Sequence, residues 1–222
     1  MSLQAQLDAL KSEFVSQLPE DVRETMMATT LELANTGIAE QAPQVGDRLK
    51  EFELPNQNGQ QRSLSKLLEA GPVVVSFYRG GWCPYCNLEL RAFQQILPDI
   101  NSAGASLVAI TPELPDASLS TTEKNELAFE VLSDEDADYA RDLGLVFTLP
   151  EVLRPIYQNF GIDLEKHNGQ GQFDLPLAAT FVVDVDGKVS YSFVSADYTQ
   201  RAEPAEVIQA LQVLQSSREV TS

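Results

Sequence analysis

The chain has 222 residues, 15 Lys and Arg against 33 Asp and Glu, one His and two Cys, for a formal net charge of −18. That length can hide roughly 70% of its unfolded surface and fits one domain with an added segment. The charge excludes nucleic-acid backbone binding, which needs a basic face, and argues against docking on anionic membranes.

No apolar run approaches the roughly 20 residues that span a bilayer. The start, MSLQAQLDALKSEF, has no basic n-region and no apolar h-region, so it does not read as a secretory signal. Both cysteines fall in Cys83-Pro84-Tyr85-Cys86, which is no disulfide scaffold and sets the expectation of a reducing, cytoplasmic compartment.

Leu3, Leu7, Leu10, Phe14 and Leu18 recur on one helical face. Pro19 interrupts, and Val22, Met26 and Leu33 continue a second face, stopped at Asn35-Thr36-Gly37. Residues 1–44 therefore read as a helical extension of two helices and a linker. It serves either as a packing appendage or as a surface for a homodimer or partner. Residues 45–222 read as the main domain.

From Val45 the pattern alternates. A short strand at 52–54, a hairpin turn at Asn58-Gly59 and a Ser63-capped helical turn come first. Residues 73–78 are β-branched and aromatic, the best strand in the chain. A helix is expected over 87–102, a buried strand at 107–110, a helix over 119–129, a brief strand at 131–132 and a helical turn over 137–142. A hairpin over 180–194 turns at Asp186-Gly187, and a helix over 204–214 closes the chain. The result is α/β with a mixed central sheet.

The constellation Phe77-Tyr78-Arg79-Gly80-Gly81-Trp82-Cys83-Pro84-Tyr85-Cys86 lies between the best strand and a helix. The first helical turn offers unpaired N–H groups and the positive end of the macrodipole, which favour a thiolate. Arg79 could add a permanent positive charge. Two Cys and one distant His, His167, cannot complete a four-ligand zinc site. C-x-x-C after a strand in an α/β chain is a redox signature.

Phe77-Tyr78, then Cys86, Glu89, Ala92 and Phe93 in their spacing, resemble the alkyl hydroperoxide reductase/thiol-specific antioxidant (AhpC/TSA, peroxiredoxin) family of the thioredoxin-fold superfamily. Val45-Gly46-Asp47, Leu132-Ser133-Asp134 and Thr180-Phe181-Val182-Val183-Asp184 extend the resemblance along most of the chain. It implies a thioredoxin-like fold and a peroxidase with no metal, haem or flavin. Cys86 matches the peroxidatic cysteine and Cys83, standing where the family has Thr, would resolve it. Trp82, Pro84, Tyr85 and Glu89 would support the pair. Thioredoxin, glutaredoxin or glutathione would supply electrons.

The family's usual supporting Arg is replaced by Ala178, and Pro176 is the nearest candidate for the cis-Pro of thioredoxins. Arg79, or Arg154 or Arg201 brought in by the fold, would have to substitute for the Arg. Trp82 before Cys83 keeps a second reading open, a thiol–disulfide oxidoreductase with Cys83 as nucleophile. A non-enzymatic redox sensor is the third. The acidic run 134–138 lacks the Gly and Glu of a calcium loop and reads as a solvated helix start. His167 reads as exposed in a polar loop.

Overall fold

Pro19 separates α1 (Leu3–Gln17) from α2 (Glu20–Asn35), and Gly37 adopts the left-handed conformation just beyond α2 (φ 71°). A computed structural model describes residues 1–221. Ser2 caps α1, its Oγ accepting from the Ala5 N–H at 3.2 Å. Leu3 and Leu7 enter the main core, and α1 packs on the helix that carries Cys86. Glu203, far along the chain, accepts from the Gln4 N–H at 2.6 Å, and Lys11 pairs with Asp197 at 3.3 Å.

β1 (Glu53–Pro55) and β2 (Gln61–Ser63) form the expected hairpin, with Gly59 at φ 75° in its turn. Ser63 makes no side-chain cap on α3 (Leu64–Leu68); the Glu51 carboxylate takes the free Ser65 N–H instead, at 3.0 Å. β3 (Val73–Phe77), α4 (Pro84–Ser102), β4 (Ser106–Thr111), α5 (Pro115–Lys124) and β5 (Glu130–Ser133) follow. After α6 (Asp138–Asp142) come β6 (Val146–Thr148), α7 (Arg154–Asn159), α8 (Leu164–Asn168) and β7 (Asp174–Pro176). The chain closes with β8 (Ala178–Val183), β9 (Val189–Ser195) and α9 (Pro204–Thr221).

The central sheet runs β5-β4-β3-β8-β9, with β3, β4 and β5 parallel and β8 and β9 antiparallel. This is the expected mixed sheet. β3 is buried at every position because both faces are covered. Val74 points toward α4, α1 and α9, where Leu7, Phe93, Val182 and Leu211 gather. Val75 and Phe77 point the other way, among Phe52, Ile110, Tyr139 and Phe181.

Two further expectations need correction. The helix expected over 119–129 lies at α5, four residues earlier. Pro115 suits its first turn, and Glu126 at φ 51° follows its end. Leu127 and Phe129 reach the core from the connection beyond. The acidic run is not a solvated helix start at Asp134: that residue is buried, and its carboxylate accepts from the Tyr139 and Ala140 N–H groups at 3.0 and 2.9 Å. Residues 145–176, which carry no clear period, hold the small β6–β7 ribbon with α7 and α8 between its strands.

Candidate active site

The site begins where β3 stops. Gly80 and Gly81 turn the chain toward α4 because nothing larger fits. A Cβ on Gly80 would lie 2.1 Å from the Trp82 indole nitrogen, and one on Gly81 would lie 1.9 Å from Thr121 Oγ1. Cys83 is the N-cap of α4 and Pro84 its first residue, where a missing N–H costs nothing. Cys86 then falls in the first turn. Asn87 bonds back through its amide to the carbonyls of Gly81 and Cys83, at 2.8 and 3.0 Å, and is itself held by Asn125 at 2.8 Å. From the other side the buried Glu113 accepts from the Gly81 N–H at 2.9 Å.

Both cysteines are fully buried and reduced, and each faces its own arginine. Arg79 Nη2 donates to Cys83 Sγ at 3.3 Å. Arg201 Nη2 donates to Cys86 Sγ at 3.2 Å. The Arg at the expected peroxidatic position is therefore Arg201, and Arg79 attends the partner cysteine. Arg154 stands elsewhere, stacked 3.8 Å over the Phe173 ring. Arg201 follows β9, whereas Ala178, where the family's Arg was sought, pairs within the sheet against Ser195. Among the described residues no peptide bond is cis, so Pro176 does not play the thioredoxin proline's part.

Arg201 is held from three sides. Its Nε lies 2.7 Å from Glu89 Oε2, and Nη1 reaches the carbonyl oxygens of Gln200, at 2.8 Å, and Tyr198. Burial pushes the Glu89 carboxyl up to about 7, with the Arg201 charge opposing. The two thiols interact through a hydrogen bond between them. Burial raises the Cys83 thiol, but the hydrogen bond from Cys86 and the charges of Arg79 and Arg201 outweigh it and bring it well below the ordinary thiol range. Cys86 is pushed well above that range, by burial and then by the hydrogen bond to Cys83 and its charge. The charges around the pair thus favour the thiolate on Cys83 over Cys86.

Four aromatic rings roof the pair. The Arg79 guanidinium lies 4.2 Å from the Tyr198 ring centroid and 5.1 Å from that of Trp82, and Tyr157 Oη accepts from Arg79 Nη1 at 3.0 Å. Tyr85 packs edge-on against Tyr198 at 5.5 Å. Thus Trp82, Tyr85, Pro84 and Glu89 all gather with Cys83, Cys86 and Arg79. Tyr157, Tyr198, Asn125 and Glu113 complete the site from distant segments with no local motif to announce them. His167 is half-buried rather than exposed, its Nδ1 lying 3.0 Å from Glu113 Oε1.

A profile of the AhpC/TSA family matches residues 45–192, two thirds of the sequence. The chain belongs to the AhpC/TSA family. Peroxiredoxin Bcp of Escherichia coli (strain K12) is 26% identical over 148 residues, covering 67% of this chain and 83% of that protein. The crystal structure of peroxidoxin BcpB from Mycobacterium tuberculosis superposes with a TM-score of 0.62 at 26% identity, over 78% of this chain and 98% of that one. The bacterioferritin comigratory protein of Xanthomonas campestris shares the fold (TM-score 0.55, 18% identity, 74% and 92% covered). The family's fold is thioredoxin-like, as the mixed sheet here is. No helix among the described residues is long and apolar enough to cross a membrane.

Proposed function

We propose that this thiol-dependent peroxidase reduces hydrogen peroxide or alkyl hydroperoxides through Cys86, with Cys83 as the resolving cysteine. The observation that carries this reading is the Arg201 guanidinium 3.2 Å from Cys86 Sγ, in a chain whose register matches Cys86 to the family's peroxidatic position. When the Cys86 proton moves to Cys83, the new thiolate faces Arg201. It attacks the terminal peroxide oxygen, the O–O bond breaks, and Cys86 becomes a sulfenic acid. The departing alkoxide takes the proton from Cys83 and leaves as an alcohol. The Cys83 thiolate then attacks Cys86 Sγ and expels hydroxide, which solvent protonates. The product is a Cys83–Cys86 disulfide, reset by thioredoxin, glutaredoxin or glutathione.

The lowered Cys83 thiol, at the N-cap of α4, favours a second reading: thiol–disulfide exchange with Cys83 as first nucleophile. Single substitutions separate the two. C86S is expected to abolish peroxide consumption, while C83S completes one turnover and stops at the sulfenic acid. Intact mass of the wild type after one equivalent of peroxide should fall by the two hydrogens of a new disulfide. Peroxide consumption retained in C86S and lost in C83S reverses the assignment.

We place the unit boundary near Val45, with residues 1–44 as a helical extension over the redox face and a cytoplasmic, reducing setting for the whole. A homodimer would use the α2 face at Met27 and Leu31, which stay 63% and 62% exposed. Sedimentation of the L31E variant against wild type checks it; a monomeric wild type removes that part of the reading.

A further inference from the structure

A cavity of about 180 Å³ opens on Arg79, the arginine that contacts Cys83, and is walled by Thr30, Leu149, Leu153, Tyr157 and Tyr198, with the exposed Glu32 among its lining. Arg79 is only 4% exposed, and its Nε has no hydrogen-bond partner. The group that faces it is Cys83 Sγ, 3.3 Å from Nη2, where the surrounding charges favour a thiolate. Disulfide formation removes that thiolate and leaves the guanidinium buried without a counter-charge, since Glu89 is spoken for by Arg201. An unpaired buried charge is costly, so the oxidised state should recruit an anion that the reduced state repels. Apart from Arg79 and the exposed Glu32, the cavity is lined by apolar side chains and a few hydroxyls, too small for a protein loop and suited to a short organic carboxylate seated on Arg79, away from Glu32.

We propose that this cavity is a redox-gated carboxylate subsite, and that its occupant is the carboxylate of a small thiol reductant. The proposal rests on the reading that Cys83 and Cys86 cycle through a disulfide. With its carboxylate on Arg79, the reductant's thiolate is held beside Cys83. Attack on Cys83 Sγ forms a mixed disulfide and breaks the Cys83–Cys86 bond. Cys86 leaves as a thiolate facing Arg201 and takes a proton from solvent. A second reductant thiolate attacks the reductant's own sulfur in the mixed disulfide. This releases the oxidised small disulfide and returns the Cys83 thiolate to Arg79, pushing the carboxylate out.

The first arm compares reduction of the oxidised protein by 3-mercaptopropionate and by its neutral amide, at matched thiolate concentration. The carboxylate form should react at least tenfold faster in wild type, and the ratio should collapse toward one in R79Q. Because the ratio cancels any change in the disulfide's own reactivity, it reads recognition rather than chemistry. The second arm uses propionate, which cannot reduce anything, followed by the fluorescence of Trp82, the only tryptophan. Saturable quenching at least tenfold tighter in oxidised than in reduced protein supports the subsite. Equal rates for acid and amide in wild type, or propionate binding indifferent to redox state, overturns it. Intact mass showing the disulfide at the start keeps this outcome separate from failure of the peroxidase reading.

Discussion

Arg201 and Cys86 stand 115 positions apart in sequence, yet a guanidinium nitrogen lies 3.2 Å from the thiol sulfur. The family's usual arrangement sends this cation from the strand beside the site. Here the segment after β9 delivers it, and Ala178 occupies the strand position. The loop is anchored on both flanks by α1, through Lys11 to Asp197 and Glu203 to Gln4. The N-terminal helix is thereby a buttress of the site.

Replacing Arg201 with Gln should lower kcat/KM for peroxide by roughly 10- to 150-fold, since a hydrogen bond to a charged group contributes about 1.5–3 kcal/mol. Arg201→Lys keeps the charge but cannot reach the sulfur, Glu89 and two carbonyls together, so an intermediate loss is expected. Stopped-flow peroxide consumption measures both. A wild-type rate in R201Q would show that Cys86 does not depend on this cation.

Glu89 sets a pH dependence of stability. Its folded carboxyl sits at about 7, above the unfolded value of 4.5. Between those limits the folded state holds more protons than the unfolded one, so stability falls as pH rises from about 4.5 to about 7. The slope should total on the order of 1–3 kcal/mol and disappear in E89Q. Urea unfolding across that range, wild type against variant, decides it; parallel curves would contradict the assignment.

Gly81→Ala tests the tight turn. Its Cβ would sit 1.9 Å from Thr121 Oγ1, and overpacking of this kind costs about 1–3 kcal/mol. The loss should appear in thermal unfolding together with slower peroxide turnover. Adding Thr121→Ala should restore more than half of both, which a general folding defect would not allow.

Leu7→Ala removes a fully buried side chain of α1 and should cost roughly 2–5 kcal/mol. Lys11→Ala leaves the core intact and only releases the Asp197 flank. Its expected signature is a weaker peroxidase with near-normal stability. Calorimetry paired with turnover separates the two effects; if K11A matches wild type in rate, the buttress is unnecessary.

The elements that sequence made plain are those with a strong local period or turn signal. The β3 run, the Asp186-Gly187 hairpin and the two N-terminal helices each carry their own pattern. Residues 145–176 were opaque because strands of three residues and helices of five or six are too short to show one. α5 was displaced because Leu127 and Phe129 are apolar for the core's sake, not for a helix's. Asp134 looked solvated because nothing local reveals that its carboxylate caps α6.

By itself the sequence determined the chemistry: two thiols one helical turn apart at a strand–helix junction, flanked by Gly80, Gly81, Trp82 and Pro84, in a register that names the family. Those features are local, since caps, turns and C-x-x-C spacing act over a few residues. Tertiary structure alone decided which arginine faces which sulfur, that the surrounding charges favour a thiolate on Cys83, and that Tyr157 and Tyr198 roof the pair. These depend on charges and rings converging from β3, α7 and the segment after β9. Their interactions grow strong only once burial removes water from between them, and no spacing along the chain encodes that convergence.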